Sequence, residues 1–478
     1  MDSIDIADKV PSPPIKDISV SPSDGRSMEE AVDAASAGRK KADRNILIWY
    51  SFVYLVMRVH VSNISNSAIM NLEQGTGIEK QLGNLNSQQW AWVLSIFYYP
   101  YMFAEPLATL ALKRFGPNVW MSRIMVSWGI VSMCQAATQN YAGILTTRFF
   151  LGLCEAGFYP GVLYHLSFWY PTDRLPLRIR TDEISLQAYA ISFMNGIRGL
   201  AGWRWLFILE GMPAILCGIY TYFFLPNCKL YLTLFLKPEE KEALRADLAE
   251  TAPDMKAKTW NFDQLKTAFK DPTFIPFTLI WIGHGIGGFG ITFVLPTVIY
   301  QLGMTDTAIS QIMTMPPYTF NFIFLVTIAY FVHKGRLSSW VAALGIEALQ
   351  ILCYILLITV NDSVARYIFV MIATAASQSF YFVTERIRAA HGTTAAGVAI
   401  GMTNGAAQLM GIVGPQIYQS KFGPYYHVSY ACSIGLLCFA CMAIGTCWYF
   451  VVRNDCRSRQ PEISEADESA VSSIKTES

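Results

Sequence analysis

The stretch MSRIMVSWGIVSMCQAATQNYAGILTTRFFLGLCEAGFYPGVLYHLSFWY, residues 121–170, decides the fold class. It contains two apolar runs, Met121–Ala137 and Ile144–Trp169, with a short polar break between them. A helix needs about 20 apolar residues to cross a hydrocarbon core of about 30 Å. Similar runs recur along the whole chain, which predicts an all-α membrane protein rather than a water-soluble one.

The composition supports a membrane protein. Hydrophobic residues make up 53% of the 478 residues and charged residues only 15%, whereas soluble domains carry about 25% charged residues. The net charge is +1 and no basic patch is interleaved with aromatic residues, which argues against nucleic-acid binding. Most of the ten cysteines lie within apolar runs, and the pair Cys438/Cys441 has no second ligand pair nearby, so we predict no disulfide framework, metal site or cofactor.

The apolar runs predict twelve membrane spans, numbered here from 1 to 12. Lys and Arg concentrate in the head, in loops 2–3, 4–5, 8–9 and 10–11, and in the tail, while the intervening loops hold few. Basic residues favour the cytoplasmic side, so this alternation predicts that both chain ends are cytosolic. The predicted spans are 46–70, 90–112, 121–138, 144–169, 184–197, 205–225, 273–300, 312–332, 339–360, 364–383, 393–418 and 428–452.

A long charged stretch divides the chain into two halves. Residues 226–272 separate six spans from six and contain KPEEKEALRADLAE, which predicts an amphipathic surface helix. A six-plus-six arrangement with a cytosolic connector is typical of transporters built from two parallel repeats. The predicted parts are a disordered cytosolic head (1–45), an N-terminal bundle (46–225), the connector (226–272), a C-terminal bundle (273–452) and a cytosolic tail (453–478).

Span 4 carries two ionisable residues at membrane depth. Arg148, Gly152, Glu155 and Tyr159 follow a spacing that places them on one stripe of a continuous helix. Ionisable groups inside a membrane are costly and usually face a cavity or a partner. Two interpretations stay open: Arg148 anchors an anionic substrate while Glu155 binds a proton, or both residues belong to structural ion pairs with a neighbouring span.

Span 11 has one face of small and polar residues. Its glycines are explained by close helix packing. On the same face, Asn404 and Gln408 are candidates for hydrogen bonds to a ligand.

Spans 7 to 10 hold further candidates. His284 precedes four glycines between residues 285 and 290, which indicates either a flexible gate or a structural, hydrogen-bonded histidine. Glu347 in span 9 is interpreted as a paired acid. Candidate substrate-binding residues in spans 8 and 10 are Tyr318, Asn321 and Gln378.

Signatures of enzymes are missing from the sequence. We find no phosphate-binding GxxxxGK[ST] loop, no GxSxG, and no clustering of the six histidines with carboxylates. These absences argue against an enzyme and against ATP-driven transport.

Several stretches resemble one family. RFFLGLCEAGFYPGVLYHLSFWYP (148–171) is similar to the span-4 signature of fungal major facilitator permeases of the anion:cation symporter, or allantoate permease, family. GWRWLFILEG (202–211), FAEPLATLALKRFGPNVW (103–120), ERIRAAHGTTAAGVAIG (385–401) and GPQIY (414–418) resemble other parts of that family. The resemblance covers residues 44–455. It implies the major facilitator fold, alternating access, and proton-coupled uptake of a small organic anion such as allantoate, nicotinate or pantothenate.

The resemblance also implies roles for the candidates. Arg148 would neutralise the substrate carboxylate and Glu155 would carry the coupling proton. Lys113 and Arg114, in a degenerate form of the family's loop 2–3 motif, would act in the conformational change, for which the glycine pattern after His284 makes that residue a further candidate. The partners would be a small molecule, protons and the lipid bilayer, and the protein would be a monomer in the plasma membrane, with the vacuole as the alternative. The substrate would be oriented by Tyr318, Asn321, Gln378, Asn404 and Gln408.

Two departures from the family matter. In span 1 the family usually has an Asp-Arg pair and then Asn-Ile-Gly-Asn, whereas this chain has Met57 in place of the Asp and Ser65 in place of the Gly. Span 5 is truncated: residues 184–197 would form about 20 Å of helix, which is shorter than the hydrocarbon core. The alternatives to a working permease are therefore an impaired splice or gene-model variant, or a nutrient sensor that binds a ligand without moving it.

Overall fold

The computed structural model describes residues 41, 46–166, 190–225, 272–380 and 403–476, and nothing in these ranges is a strand. The predictions of a disordered head, of an amphipathic connector helix and of most of span 5 lie outside the described residues. The same holds for residues 381–402 of spans 10 and 11.

The first half of the chain forms eight of the described helices. Asn86 starts α3 with a reciprocal capping box, in which its side chain accepts a hydrogen bond from the backbone of Gln89. Asn140 caps α6 with a single hydrogen bond, which its side-chain oxygen accepts from the backbone nitrogen of Gly143 at 2.7 Å. The helices are α1 Ile48–Ile69, α2 Ile78–Gln81, α3 Ser87–Ser95, α4 Tyr98–Phe115, α5 Pro117–Gln135, α6 Tyr141–Glu155, α7 Phe158–Leu166 and α8 Gly202–Phe224.

The second half has a matching series. A 3-10 turn, Gly290–Val294, links the first two of its helices, and the last helix continues beyond predicted span 12 into the tail. Span 11 is interrupted at Gln408, because residues 403–407 are helical and the next helix begins at Leu409. The helices are α9 Phe274–Phe289, α10 Leu295–Gln301, α11 Thr307–Ile312, α12 Met315–His333, α13 Ser339–Thr359, α14 Ser363–Gln378, α15 Leu409–Ile417 and α16 His427–Thr476.

Five helical segments in the described ranges are long and apolar enough to cross a membrane. They are Gly202–Phe224, Phe274–Gln301, Thr307–Val332, Ser339–Thr359 and His427–Arg453. The other predicted spans with described residues are also helical, but they are shorter, more polar or divided. The prediction of an all-α membrane fold is confirmed.

The helices pack in a pattern that repeats between the halves. In the first half α5 packs on α8, α4 on α6, and α1 on α8; in the second half α13 packs on α16, α12 on α14, and α9 on α16. These contacts pair spans 3 and 6, 2 and 4, and 1 and 6 with their equivalents six spans later. Such repetition is typical of two parallel structural repeats.

Glycines bring α5 and α8 into backbone contact. A Cβ atom added at Gly129 would lie 2.7 Å from the carbonyl oxygen of Gly211, and one added at Gly211 would lie 2.5 Å from the carbonyl oxygen of Gly129. Small residues let membrane helices approach in this way. This crossing fixes the position of α8, and with it one wall of the site described below.

Span 4 is two helices, so the prediction of one continuous stripe was wrong. The helix α6 ends at Glu155, Gly157 has a left-handed φ of +85°, and α7 begins at Phe158. Tyr159 therefore lies on a different helix from Arg148, with its ring 6.2 Å from the ring of Tyr54. The break occurs at a glycine because a Cβ there would lie 2.2 Å from the Cβ of Ala108 on α4.

The predicted end of span 5 was also wrong. In the described residues the helix ends at Ser192, and turns and a 3-10 turn at Ile197–Gly199 follow. Three residues with positive φ near this point, Gly196, Arg198 and Gly199, are incompatible with a continuing α-helix.

Candidate functional site

A group of buried polar side chains lies where spans 1, 4 and 6 meet. We call His60, Asn63, Arg148, Glu155 and Glu210 the N-half polar cluster. Each of them is at most 4% exposed. Since apolar helices surround them, these polar groups must be held by one another, by backbone groups or by a ligand.

Arg148 is positioned by span 2. Its Nε donates a hydrogen bond to the carbonyl oxygen of Val93 at 3.3 Å, and its guanidinium lies over the ring of Phe97 at 5.1 Å. Glu155 and Glu210 are within electrostatic range. Its two Nη groups donate to no residue in the described part of the chain. A guanidinium held in this manner keeps a planar pair of donors for a carboxylate.

Glu155 is the last residue of α6, beside span 1. Its Oε2 lies 3.9 Å from Nδ1 of His60 and has no hydrogen-bond partner among the described residues. The opposite nitrogen of His60, Nε2, is 2.9 Å from the hydroxyl of Ser132. The positive charges of Arg148 and Arg58 act on the carboxyl group. Glu155 is therefore buried close to several charges without being saturated by hydrogen bonds, a setting that suits proton uptake and release.

Glu210 is a member of the cluster that sequence reasoning missed. Asn63 donates a hydrogen bond from Nδ2 to Oε1 of Glu210, and Asn66 donates to Oδ1 of Asn63 at 3.0 Å. The other carboxylate oxygen of Glu210 is buried without a partner in the described residues. In the sequence, Glu210 lies within the motif GWRWLFILEG. A lone acid within an apolar span was the signal that could have identified it.

In the second half one span-8 candidate, Asn321, contacts span 10 at the residue next to the candidate Gln378. Asn321 on α12 accepts a hydrogen bond from the hydroxyl of Ser379 at 3.0 Å, and Ser379 directly follows Gln378. Tyr318 lies one turn before Asn321 on the same helix. Tyr318 and Gln378 are both buried.

The span-11 candidates lie between the two halves. Asn404 donates a hydrogen bond to the carboxylate of Glu105 on α4, and Gln408 occupies the helix break. A Cβ at Gly411 would lie 2.3 Å from the ring of Tyr98, so this glycine serves close packing, as the sequence indicated. The other two glycines of that face, at 397 and 401, lie outside the described residues.

The three candidates for conformational roles have different settings. His284 is fully buried, with Nδ1 2.8 Å from Oε1 of Glu347 and Nε2 3.0 Å from the carbonyl oxygen of Ser377. Arg114 is exposed near the end of α4, with its guanidinium 5.9 Å from the ring centroid of Phe115. Lys113 lies on the same helix, but its side chain is outside the described part.

Uncharged side chains join the two halves at one end of the molecule. Ser87 contacts Ser420 at 2.8 Å, Gln88 donates to Gln416 at 2.8 Å, and Gln419 donates to Gln88 at 2.8 Å. We call these five residues the amide seal. They belong to loops 1–2 and 11–12 and, in the case of Gln416, to the end of span 11, on the side that the charge pattern predicts to be extracellular. Just beneath, the hydroxyl of Ser95 donates to the carbonyl of Ile412 at 2.9 Å.

An apolar groove of about 450 Å³ opens elsewhere, along α11 and α12. Its walls are largely carbon, so it does not fit a small polar solute. The lining residues are Ile312, Met315, Pro316, Thr319, Phe320 and Ile323. Among the described residues no group of His, Cys, Asp and Glu is arranged to hold a metal ion.

Residues 50–415 match the family model described as Major Facilitator Superfamily. The chain belongs to this superfamily. One relative is the MFS transporter prlL of Fungal sp. (strain NRRL 50135), with 30% identity over 310 residues that cover 63% of this chain and 62% of that protein. Another is a putative tartrate transporter of Agrobacterium vitis, with 29% identity over 233 residues that cover 46% of this chain and 52% of that protein.

A solved structure supports the fold of this superfamily member. The D-xylose-proton symporter superposes with a TM-score of 0.58 at 14% sequence identity, covering 84% of this chain and 97% of that one. The expected major facilitator fold is therefore confirmed. The chain is a multi-pass membrane protein in a superfamily of membrane transporters.

Proposed function

We propose that this chain is a secondary active transporter that takes up a small organic anion together with protons by alternating access. The observation that carries the proposal is the buried guanidinium of Arg148, whose two Nη groups have no partner among the described residues. A buried cation is costly unless it is paired and hydrogen-bonded. A carboxylate that enters the site would satisfy both donors at once.

A carboxylate is the substrate class that suits this arrangement. The planar guanidinium matches carboxylate geometry better than a lysine would, and one relative is named as a putative tartrate transporter. The sequence resemblance to anion:cation symporters adds allantoate, nicotinate and pantothenate to the candidates. From the opposite half, Tyr318, Asn321, Gln378, Asn404 and Gln408 would orient the substrate.

Glu155 would supply the coupling to protons. A substrate anion on Arg148 adds negative charge next to Glu155 and competes for the same guanidinium, so binding of the anion favours the protonated carboxyl group. Substrate and proton would then travel together. Release of either one would weaken the binding of the other.

Alternating access would move the two bundles, residues 46–225 and 273–452, against each other. The amide seal closes the end that we assign to the outside. Lys113 and Arg114 lie near the opposite end of span 2, where contacts would form when the molecule opens outward. We further propose that the protein acts as a monomer in the plasma membrane.

The test is uptake by the purified chain in proteoliposomes, with labelled allantoate, nicotinate, pantothenate and tartrate, and with or without an acidic outside. We expect Arg148→Ala to lower uptake by about a hundredfold or more, since a charged hydrogen-bonding partner is lost. Arg148→Lys, the matched control for charge, should recover less than about a tenth because it lacks the bidentate fork. Glu155→Gln should keep exchange of substrate but lose stimulation by the proton gradient.

Two results would overturn the proposal. If Arg148→Ala took up substrate at the wild-type rate, Arg148 would not be the substrate anchor. If acid stimulated Glu155→Gln as much as the wild type, Glu155 would not carry the coupling proton. Binding of a carboxylate without uptake would instead identify a sensor.

A further inference from the structure

A second buried acid lies in the other half, away from the N-half polar cluster. Glu347 on α13 and His284 on α9 are both 0% exposed, and the distance between Oε1 and Nδ1 is 2.8 Å. Phe380 stacks on the imidazole with 4.0 Å between ring centroids. The pair is therefore buried, with an aromatic ring stacked on the imidazole and a direct contact between the two side chains.

The hydrogen bonds of His284 define where its protons are. Ser377 presents a carbonyl oxygen to Nε2 at 3.0 Å, and a carbonyl only accepts, so Nε2 carries a hydrogen. The short contact between Nδ1 and Glu347 then needs one further proton. The pair holds it either as imidazolium with carboxylate or as neutral imidazole with carboxylic acid.

Loss of that proton changes the contact from attractive to repulsive. Neutral His284 with its hydrogen on Nε2 would face the carboxylate with the Nδ1 lone pair. The second carboxylate oxygen, Oε2, is buried and has no partner among the described residues, so it offers no compensation. A deprotonated pair would therefore push α9 and α13 apart.

The surroundings of the pair contain few other titratable groups. On α13, Gln350 and Tyr354 follow Glu347 and contact the carbonyl of Gly288 on α9. From α16 the thiol of Cys441 lies within electrostatic range of Glu347. Helix α14 contributes the Ser377 carbonyl, and span 11 contributes Ala407, before the break at Gln408, and Met410 on α15, both next to Gly285. Within the described residues, the shared proton of the pair thus sets the charge of this region.

We propose that His284 and Glu347 form a second proton-binding site, which loads and releases one proton during the transport cycle. The inference rests on the proposed proton-coupled transport for its role in the cycle, but not for the binding of the proton itself. The glycine-rich end of α9, with Gly287 and Gly288 against α16 and α13, is where the separation of the helices would be absorbed.

The first experiment detects the proton directly, without substrate. Infrared spectra of the purified full chain are recorded across pH, following the carboxylic acid and imidazolium bands. Glu347→Gln mimics the protonated pair, since the Gln amide can donate to Nδ1, and His284→Gln removes the other partner. We expect a titrating signal in the wild type that is lost in both variants and retained in Glu155→Gln. Spectra of Glu347→Gln and His284→Gln that titrate like the wild type would overturn the proposal.

The second experiment tests the role in transport. In proteoliposomes, the ratio of gradient-driven uptake to substrate exchange should fall at least tenfold in Glu347→Gln, and the number of protons moved per substrate should fall by one. An unchanged proton count would overturn the coupling role. If the wild type moved no substrate at all, the proposed function would fail while the infrared titration could still succeed, so the two failures are distinguishable.

Discussion

The side chain of Asn404 on span 11 donates a hydrogen bond to the carboxylate of Glu105 on span 2 and thereby links the two halves of the molecule. Glu105 is 1% exposed. Hydrogen bonds to charged groups contribute about 1.5–3 kcal/mol. One such bond changes the balance between two arrangements of the halves by tenfold or more, so we propose that this pair acts in the conformational change as well as in the stability of the fold.

Exchanging the two partners tests this link. Asn404→Asp places two carboxylates in contact, and we expect uptake to fall about tenfold. The double variant Asn404→Asp/Glu105→Gln restores a donor and an acceptor in reversed order and should take up more substrate than the single variant. Uptake is measured in proteoliposomes at equal protein content. A double variant no better than the single one would contradict the role of the link.

The crossing of α5 and α8 predicts a large effect of a single methyl group. Gly129→Ala places a Cβ 2.7 Å from a backbone oxygen, and overpacking of this kind costs about 1–3 kcal/mol. We expect a lower melting temperature in detergent. Gly345→Ala on α13 is the control, because no atom lies within 4 Å of its added Cβ. Equal melting temperatures of the two variants would show that the helices at this crossing separate easily.

Glu79, on the short helix between spans 1 and 2, predicts a dependence of stability on pH. Burial raises its pKa from 4.5 to about 7. Between these values the folded protein keeps a proton that the unfolded chain releases, so the contribution of Glu79 to the free energy of unfolding falls as pH rises through this window. As the pH rises from 4.5 to 7.5, the melting temperature of the wild type should fall relative to that of Glu79→Gln. A constant difference between the two proteins would exclude this effect.

Glu210 predicts a gain in affinity. Glu210→Gln keeps the acceptor oxygen for Asn63 but removes a negative charge near Arg148. We expect the loss of this charge to improve the binding free energy of an anionic substrate by about 1 kcal/mol, which corresponds to about fivefold tighter binding. The measurement is the KM for uptake of a monoanion, with Glu79→Gln as the control outside the cluster. A higher KM in Glu210→Gln would indicate that the acid organises the site instead of opposing the anion.

Much of the fold could be predicted because the length and hydropathy of apolar runs identify membrane helices. The six-plus-six arrangement followed from the charged connector, and the close-packed Gly411 followed from the small face of span 11. The break after Glu155 could not be predicted, since glycine is common within membrane helices. A glycine is needed at this break, at position 157, because an added Cβ would lie 2.2 Å from the Cβ of Ala108 on another helix.

The site was harder to predict than the fold. Arg148 and Glu155 were found because charges are rare at membrane depth. The partners of Glu155 and Glu210 depend on how α1 and α8 are rotated, which no local pattern encodes. The His284–Glu347 pair joins residues 63 positions apart, so each was interpreted alone as a gate or as a paired acid.

The amide seal has a consequence for how the opening of this end depends on the surrounding solution. Glutamine and serine side chains carry no charge at any physiological acidity, and their mutual hydrogen bonds are hardly screened by dissolved ions. The free energy needed to separate the residues of the amide seal is therefore the same at acidic and neutral pH, and at low and high salt concentration. If transport is coupled to protons as proposed, sensitivity to the external pH would then come from the buried carboxyl groups and not from the residues that close this end.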